Sequence, residues 1–167
     1  MNVADTRIQL EVEDWVRRNW LAARFSEPFS RERMKLVTGG VFDFDAVNQS
    51  GQTVACISTS GSRTAGGKAA VGKLLKIRSD LLFLSMAADV RVRLLVLTEA
   101  DMLDTCRREK VNGRVPDGIE FLLAEIPMEL RERLQAARRR ASQEMTADAI
   151  EMLPDELVLG ATQTASI

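Results

Sequence analysis

Histidine and tyrosine are both missing from this chain of 167 residues, and cysteine occurs only twice. Without histidine there is no Ser-His-Asp or Cys-His relay, no histidine base for a metal nuclease and no imidazole metal site. Without tyrosine, transfer through a phosphotyrosyl intermediate is excluded. Any catalysis therefore falls to carboxylates, lysines, arginines or hydroxyls. Cys56 and Cys106 stand far apart and lack the spacing of a metal-binding pair; they read as reduced thiols of a cytoplasmic protein. Cys56, with no histidine to activate it, is expected to be a small core residue. An excess of either charge is missing too: 23 basic and 24 acidic residues leave a net charge of −1. A nucleic-acid-binding surface would have to come from local segregation of charge. The longest apolar run, residues 81–88, is interrupted and too short to cross a bilayer. The start, MNVADTRIQLEVED, is acidic and has no apolar segment of the secretory kind. The expectation is a cytoplasmic protein with no membrane contact.

What is present suits one globular domain. Hydrophobic residues make up 46% and charged residues 28%, enough for a sizeable core. A domain over residues 1–146 is expected, with 147–167 as a C-terminal extension or tail. Thr6-x-x-Gln9 resembles a capping box, and Ile8, Val12 and Trp15 follow at helical spacing, so a helix is expected from Thr6 to Ala23. Ser26 to Arg33, with Pro28 and mixed charges, reads as a loop before a short strand near Met34 to Val37. A glycine-containing loop, Gly61 to Gly67, opens a helix over Lys68 to Ala87 with an apolar stripe of Ala70, Leu74, Ile77, Leu81 and Leu84. Val90 to Thr98 reads as a strand, Glu99 to Lys110 as a helix, and Ile119 to Ile126 as a strand. Pro127 starts a last helix to Glu144.

Between them lies the richest stretch, GGVFDFDAV (Gly39 to Val47) followed by TVACISTS (Thr53 to Ser60). Ser50-Gly51 makes a tight turn, since glycine takes the positive φ it requires. That turn sets Val47 opposite Val54, Asp45 opposite Cys56 and Asp43 opposite Ser58. Alternation then places Asp43 and Asp45 on one face, and Phe42, Phe44 and Ala46 on the other, core-facing side.

This order, with FDFDAV and then VACISTS, resembles the PD-(D/E)XK nuclease superfamily. The resemblance implies a restriction-endonuclease-like α/β core. It has a mixed central sheet of about four to five strands flanked by helices, in the order αβββαβαβα. It also implies that Asp45 is the motif aspartate, with Cys56 at the acidic position and Ser58 at the lysine position. Cysteine is a poor ligand for Mg²⁺ and serine carries no charge, so the site resembles a degenerate one. The first expectation is a nuclease-like protein without catalysis, serving as a nucleic-acid-binding or protein-interaction module for DNA, RNA, a protein partner or a second copy. The alternative is a divergent Mg²⁺-dependent endonuclease. There Asp45 and Asp43 would act as catalytic and metal-binding acids, Glu11 or Glu13 as a supporting acid, and Lys68, Lys73 or Lys76 as a displaced lysine. Arg63, Lys68 and Lys73 are the candidate nucleic-acid contacts. The third possibility is an unrelated small α/β interaction scaffold with no cofactor.

Overall fold

In the computed structural model, which describes residues 3–151 and side chains within 6–144, the chain forms five strands and their flanking helices. The first helix, α1 (Val3–Trp15), passes through a π-helical turn (Val16–Leu21) into α2 (Ala22–Phe25). The strands β1 (Phe29–Lys35), β2 (Val41–Asn48) and β3 (Thr53–Ser58) follow as an antiparallel meander. Then come α3 (Val71–Met86), β4 (Val92–Leu97), α4 (Ala100–Val111), β5 (Ile119–Leu123) and α5 (Met128–Glu151). The sheet order is β1-β2-β3-β4-β5, with β4 and β5 parallel to β3. Parallel neighbours need a crossover, which α3 and α4 supply.

Two cores sandwich the sheet. Ile77, Leu81 and Leu84 of α3 and Met102 and Cys106 of α4 cover one face, against Cys56, Leu95 and Leu97. Ile8 and Val12 of α1 and Leu130 and Leu134 of α5 cover the other, against Ala55, Ile57, Leu94 and Val96. Every residue of β3 is buried, as expected of a strand with helices on both faces. The molecule is thus α/β with a five-stranded mixed sheet, and no helix among the described residues is long and apolar enough to cross a membrane.

Several boundaries differ from those read in the sequence. The first helix reaches Phe25, and α3 starts at Val71, later than Lys68. Most of the segment expected as a loop, Ser26 to Arg33, belongs to β1, which starts at Phe29. It is an edge strand, and outward charges such as Arg31, Glu32 and Arg33 suit an edge that must not pair with other chains. The boundary expected after residue 146 falls inside α5; residues 152–167 of the expected tail lie outside the described residues.

The hairpin turn forms as expected. Gly51 has φ +70° and its N–H donates to the Asn48 carbonyl. The buried Asn48 side chain accepts from the Gln52 and Thr53 amides at 3.0 and 2.9 Å. Val47 pairs with Val54 and Ala46 with Ala55, and there the ladder stops. On the other side of β2, Ser30 faces Val47 but Glu32 faces Phe44, so Asp45 and Ala46 together oppose Arg31. That surplus residue is a β-bulge, and it corrects the expected faces. Phe44 packs with Val47 on the α3 side, while Ala46 packs with Ala55 on the other. Phe42 stacks on Phe83 of α3 with ring centroids 4.1 Å apart. Strict alternation fails at Asp45, and so the single face shared by Asp43, Asp45 and Val47 does not exist.

Candidate functional site

The bulge frees Asp45 from the ladder and puts its carboxylate to a different use. Asp45 Oδ2 accepts from the Ile57 amide of β3 at 2.8 Å, a side-chain bond made where strand pairing has ended. The Arg17 guanidinium, from the π-helical turn, donates to the Asp45 carbonyl and pairs with Asp14 at 2.9 Å. Beside this junction is a cleft of about 740 Å³ whose walls come from both faces of the sheet. Glu13 of α1 lines one side, Lys76 and Asp80 of α3 the other, and Arg31, Arg33, Asp43 and Asp45 come from β1 and β2.

The charges in the cleft are coupled. Asp80 interrupts the apolar stripe of α3, and only 8% of its side chain is exposed. Lys76, one turn earlier, donates to Asp80 Oδ2 at 2.8 Å. Burial raises the Asp80 carboxyl above its usual range, although the Lys76 bond opposes this, and the charge of Asp45 raises it further. Burial pulls the Lys76 ammonium down, but the bond to Asp80 and the fields of Asp80 and Asp45 outweigh that, so its pKa lies above the ordinary value. The Cys56 thiol is pushed well up by burial and then by Asp80 and Asp45. Cys56 is therefore a protonated thiol buried in the core, within reach of the cleft's charges but not part of its lining.

Glu13 is the most perturbed acid, raised to about 7 by burial first and by Asp45 second. The folded state holds this proton more tightly than the unfolded chain does. Its contribution is therefore fully favourable only below the ordinary value of 4.5 and erodes as pH rises through about 7. Glu13→Gln is expected to match the parent near pH 3.5 and to exceed it in stability near pH 8. After discounting for partial exposure, the gain is about 1–2 kcal/mol, read from urea unfolding at the two pH values. An equal difference at both pH values would contradict the perturbed carboxyl.

The structure brings Asp45, Asp43, Glu13 and Lys76 together and sets the other sequence candidates elsewhere. Asp43 is exposed and held by Arg33 through both oxygens, at 2.8 and 3.1 Å, which keeps its carboxyl below the usual range. Glu11 points to α5, where Arg133 grips it at 2.7 and 2.6 Å. Lys73 does not line the cleft, and Lys68 sits exposed in the loop before α3, its amide donating to Thr64. Arg63 borders a separate hollow of about 260 Å³ with Thr105 and Arg108, and donates to the Gly67 carbonyl. Ser58 is buried, as is the free thiol of Cys56. The basic end of α5 is partly structural, since Arg138 binds the Thr59 carbonyl and pairs with Glu99 at 3.1 Å.

Three charged cleft residues, Asp80, Arg31 and Arg33, are not singled out by the sequence. Asp80 was detectable as an acid inside an apolar stripe, four residues after a lysine. Arg31 was hidden by reading its strand as a loop. Among the described residues, no three acidic or thiol groups are grouped as a ready metal site. Asp45, Asp80 and Glu13 nonetheless offer hard carboxylate oxygens of the kind Mg²⁺ prefers. No family model matches the chain, and no match is found among curated proteins or solved structures.

Proposed function

We propose that this chain has a restriction-endonuclease-like core carrying a divergent, cation-dependent phosphodiesterase site for nucleic acid. In this proposal the acid and lysine have moved from β3 to α3. One observation carries it: Asp80 and Lys76, hydrogen-bonded at 2.8 Å on α3, line the same cleft as Asp45. Asp80 and Lys76 would thus replace the two groups that β3 lacks. The αβββαβαβα order and the break in β2–β3 pairing at Asp45 support the same assignment.

Asp45 and Asp80, with water, are the residues that would hold Mg²⁺ or Mn²⁺, which when bound would polarise phosphate and acidify water. One Asp45 oxygen accepts from the Ile57 amide, and the other has no hydrogen bond among the described residues. Glu13, titrating near 7, suits acceptance of a proton from water at neutral pH. Lys76, once released from Asp80, supplies a positive charge for the developing phosphate charge. Cys56 and Ser58 take no part.

The non-catalytic module is favoured by a different observation: Asp80 is held by Lys76 and Asp43 by Arg33, so two cleft acids already have partners. Incubation with single- and double-stranded DNA and RNA, with Mg²⁺ or Mn²⁺, separates the two. Cleavage that stops on chelation supports the enzyme. Salt-dependent binding with no cleavage of any substrate supports the module. Neither binding nor cleavage leaves an α/β scaffold unrelated to nucleic acid.

A further inference from the structure

Three cations line the cleft, and two of them are already engaged. Arg33 is fixed by the two oxygens of Asp43, and Lys76 by Asp80. The Arg31 side chain lines the same cleft and makes no hydrogen bond or ion pair among the described residues. Its place is set by the bulge, since it alone on β1 faces the Asp45–Ala46 pair. Its charge reaches both Glu13 and Asp43, yet it salt-bridges to neither. A guanidinium offers a planar fork of donors matched to phosphate oxygens. We infer that Arg31 anchors a substrate phosphate at this cleft, next to Asp45, and so positions the backbone of a nucleic-acid strand. This rests on the phosphodiesterase function proposed above and adds to it a residue outside the motif.

An edge-strand arginine that only keeps the sheet soluble would not touch the ligand, and salt dependence distinguishes the two roles. The probe is a fluorescein-labelled oligothymidylate of about twelve nucleotides. Binding to the full chain is followed by anisotropy from about 50 to 200 mM NaCl, with Ca²⁺ present to limit hydrolysis. Each phosphate contact in a single strand contributes a slope of about −0.7 in log K against log salt. Arg31→Gln is expected to weaken binding about tenfold at the lower salt and to flatten the slope by about 0.7. Arg31→Lys should keep the slope. Arg107→Gln, with the same change of net charge on an exposed arginine of α4 outside the cleft, should shift affinity by less than about threefold and leave the slope in place. Thermal melts of each variant establish that the fold is intact. If the parent binds but Arg31→Gln behaves like Arg107→Gln, the anchor is overturned and the proposed function stands. If the parent neither binds nor cleaves, both are overturned.

Discussion

Asp45→Ala is expected to lower the proposed cation-dependent cleavage by about a hundred- to a thousandfold and to cost about 1–3 kcal/mol of stability. The two effects have separate origins in one carboxylate. One oxygen accepts from the Ile57 amide, so alanine leaves that donor without its partner. The charge itself is what a cation and a phosphate would meet in the cleft. Asp45→Asn separates the effects, because an amide oxygen can still accept from Ile57 while the charge is gone. Asparagine should recover most of the stability, measured by urea unfolding, and none of the cleavage. A variant that recovers both would show that Asp45 serves only as a structural clasp. In either variant the Glu13 carboxyl should titrate lower than about 7, because Asp45 is one of the groups raising it.

Lys76→Met should reduce cleavage by about a hundredfold and destabilise the fold above neutral pH by about 2 kcal/mol. That cost lies between the small value of an exposed pair and the larger one for breaking a buried pair, because Lys76 is 62% exposed but Asp80 only 8%. Asp80 already titrates above its usual range, and losing the ammonium raises it again. A raised acid keeps its stabilising proton at low pH and loses it as pH rises through the folded value. The deficit should therefore shrink toward pH 4 and grow toward pH 8, in unfolding curves taken across that range. Lys76→Met combined with Asp80→Leu should remove most of the deficit, since no charge is then left buried, while cleavage stays lost.

Local signals in the chain sufficed for the order of elements and for the hairpin turn. Gly51 and Asn48 lie within a few residues of each other, and the Val47–Val54 pair follows from them without help from elsewhere. The bulge is a different matter. It is accompanied by two long-range contacts, Phe42 on Phe83 of α3 and Arg17 on the Asp45 carbonyl. Both partners are remote in sequence, so alternation predicted the wrong faces for Phe44 and Asp43. The edge strand FSRERMK resembles a loop in sequence, because it buries only Phe29 fully and the rest is mostly charged. Within the site, Asp45, Glu13 and Lys76 were named among several candidates, and tertiary placement separated Glu13 from Glu11. Two residues apart on a helix, those glutamates differ by about 200° in direction, and one meets Asp45 while the other meets Arg133.

The π-helical turn and the β-bulge are each one residue longer than the regular element requires, and Arg17 of the first meets Asp45 of the second. They behave as two matched phase shifts. Deleting one residue from Val16–Leu21 would restore an ordinary helix but turn everything on one side of the cut by about 100°. Either Arg17 would leave Asp45, or Ile8 and Val12 would leave the core. The extra residue on β2 has meaning only with its counterpart on the helix in place, so the chain tolerates length changes least at the two points where it is longest.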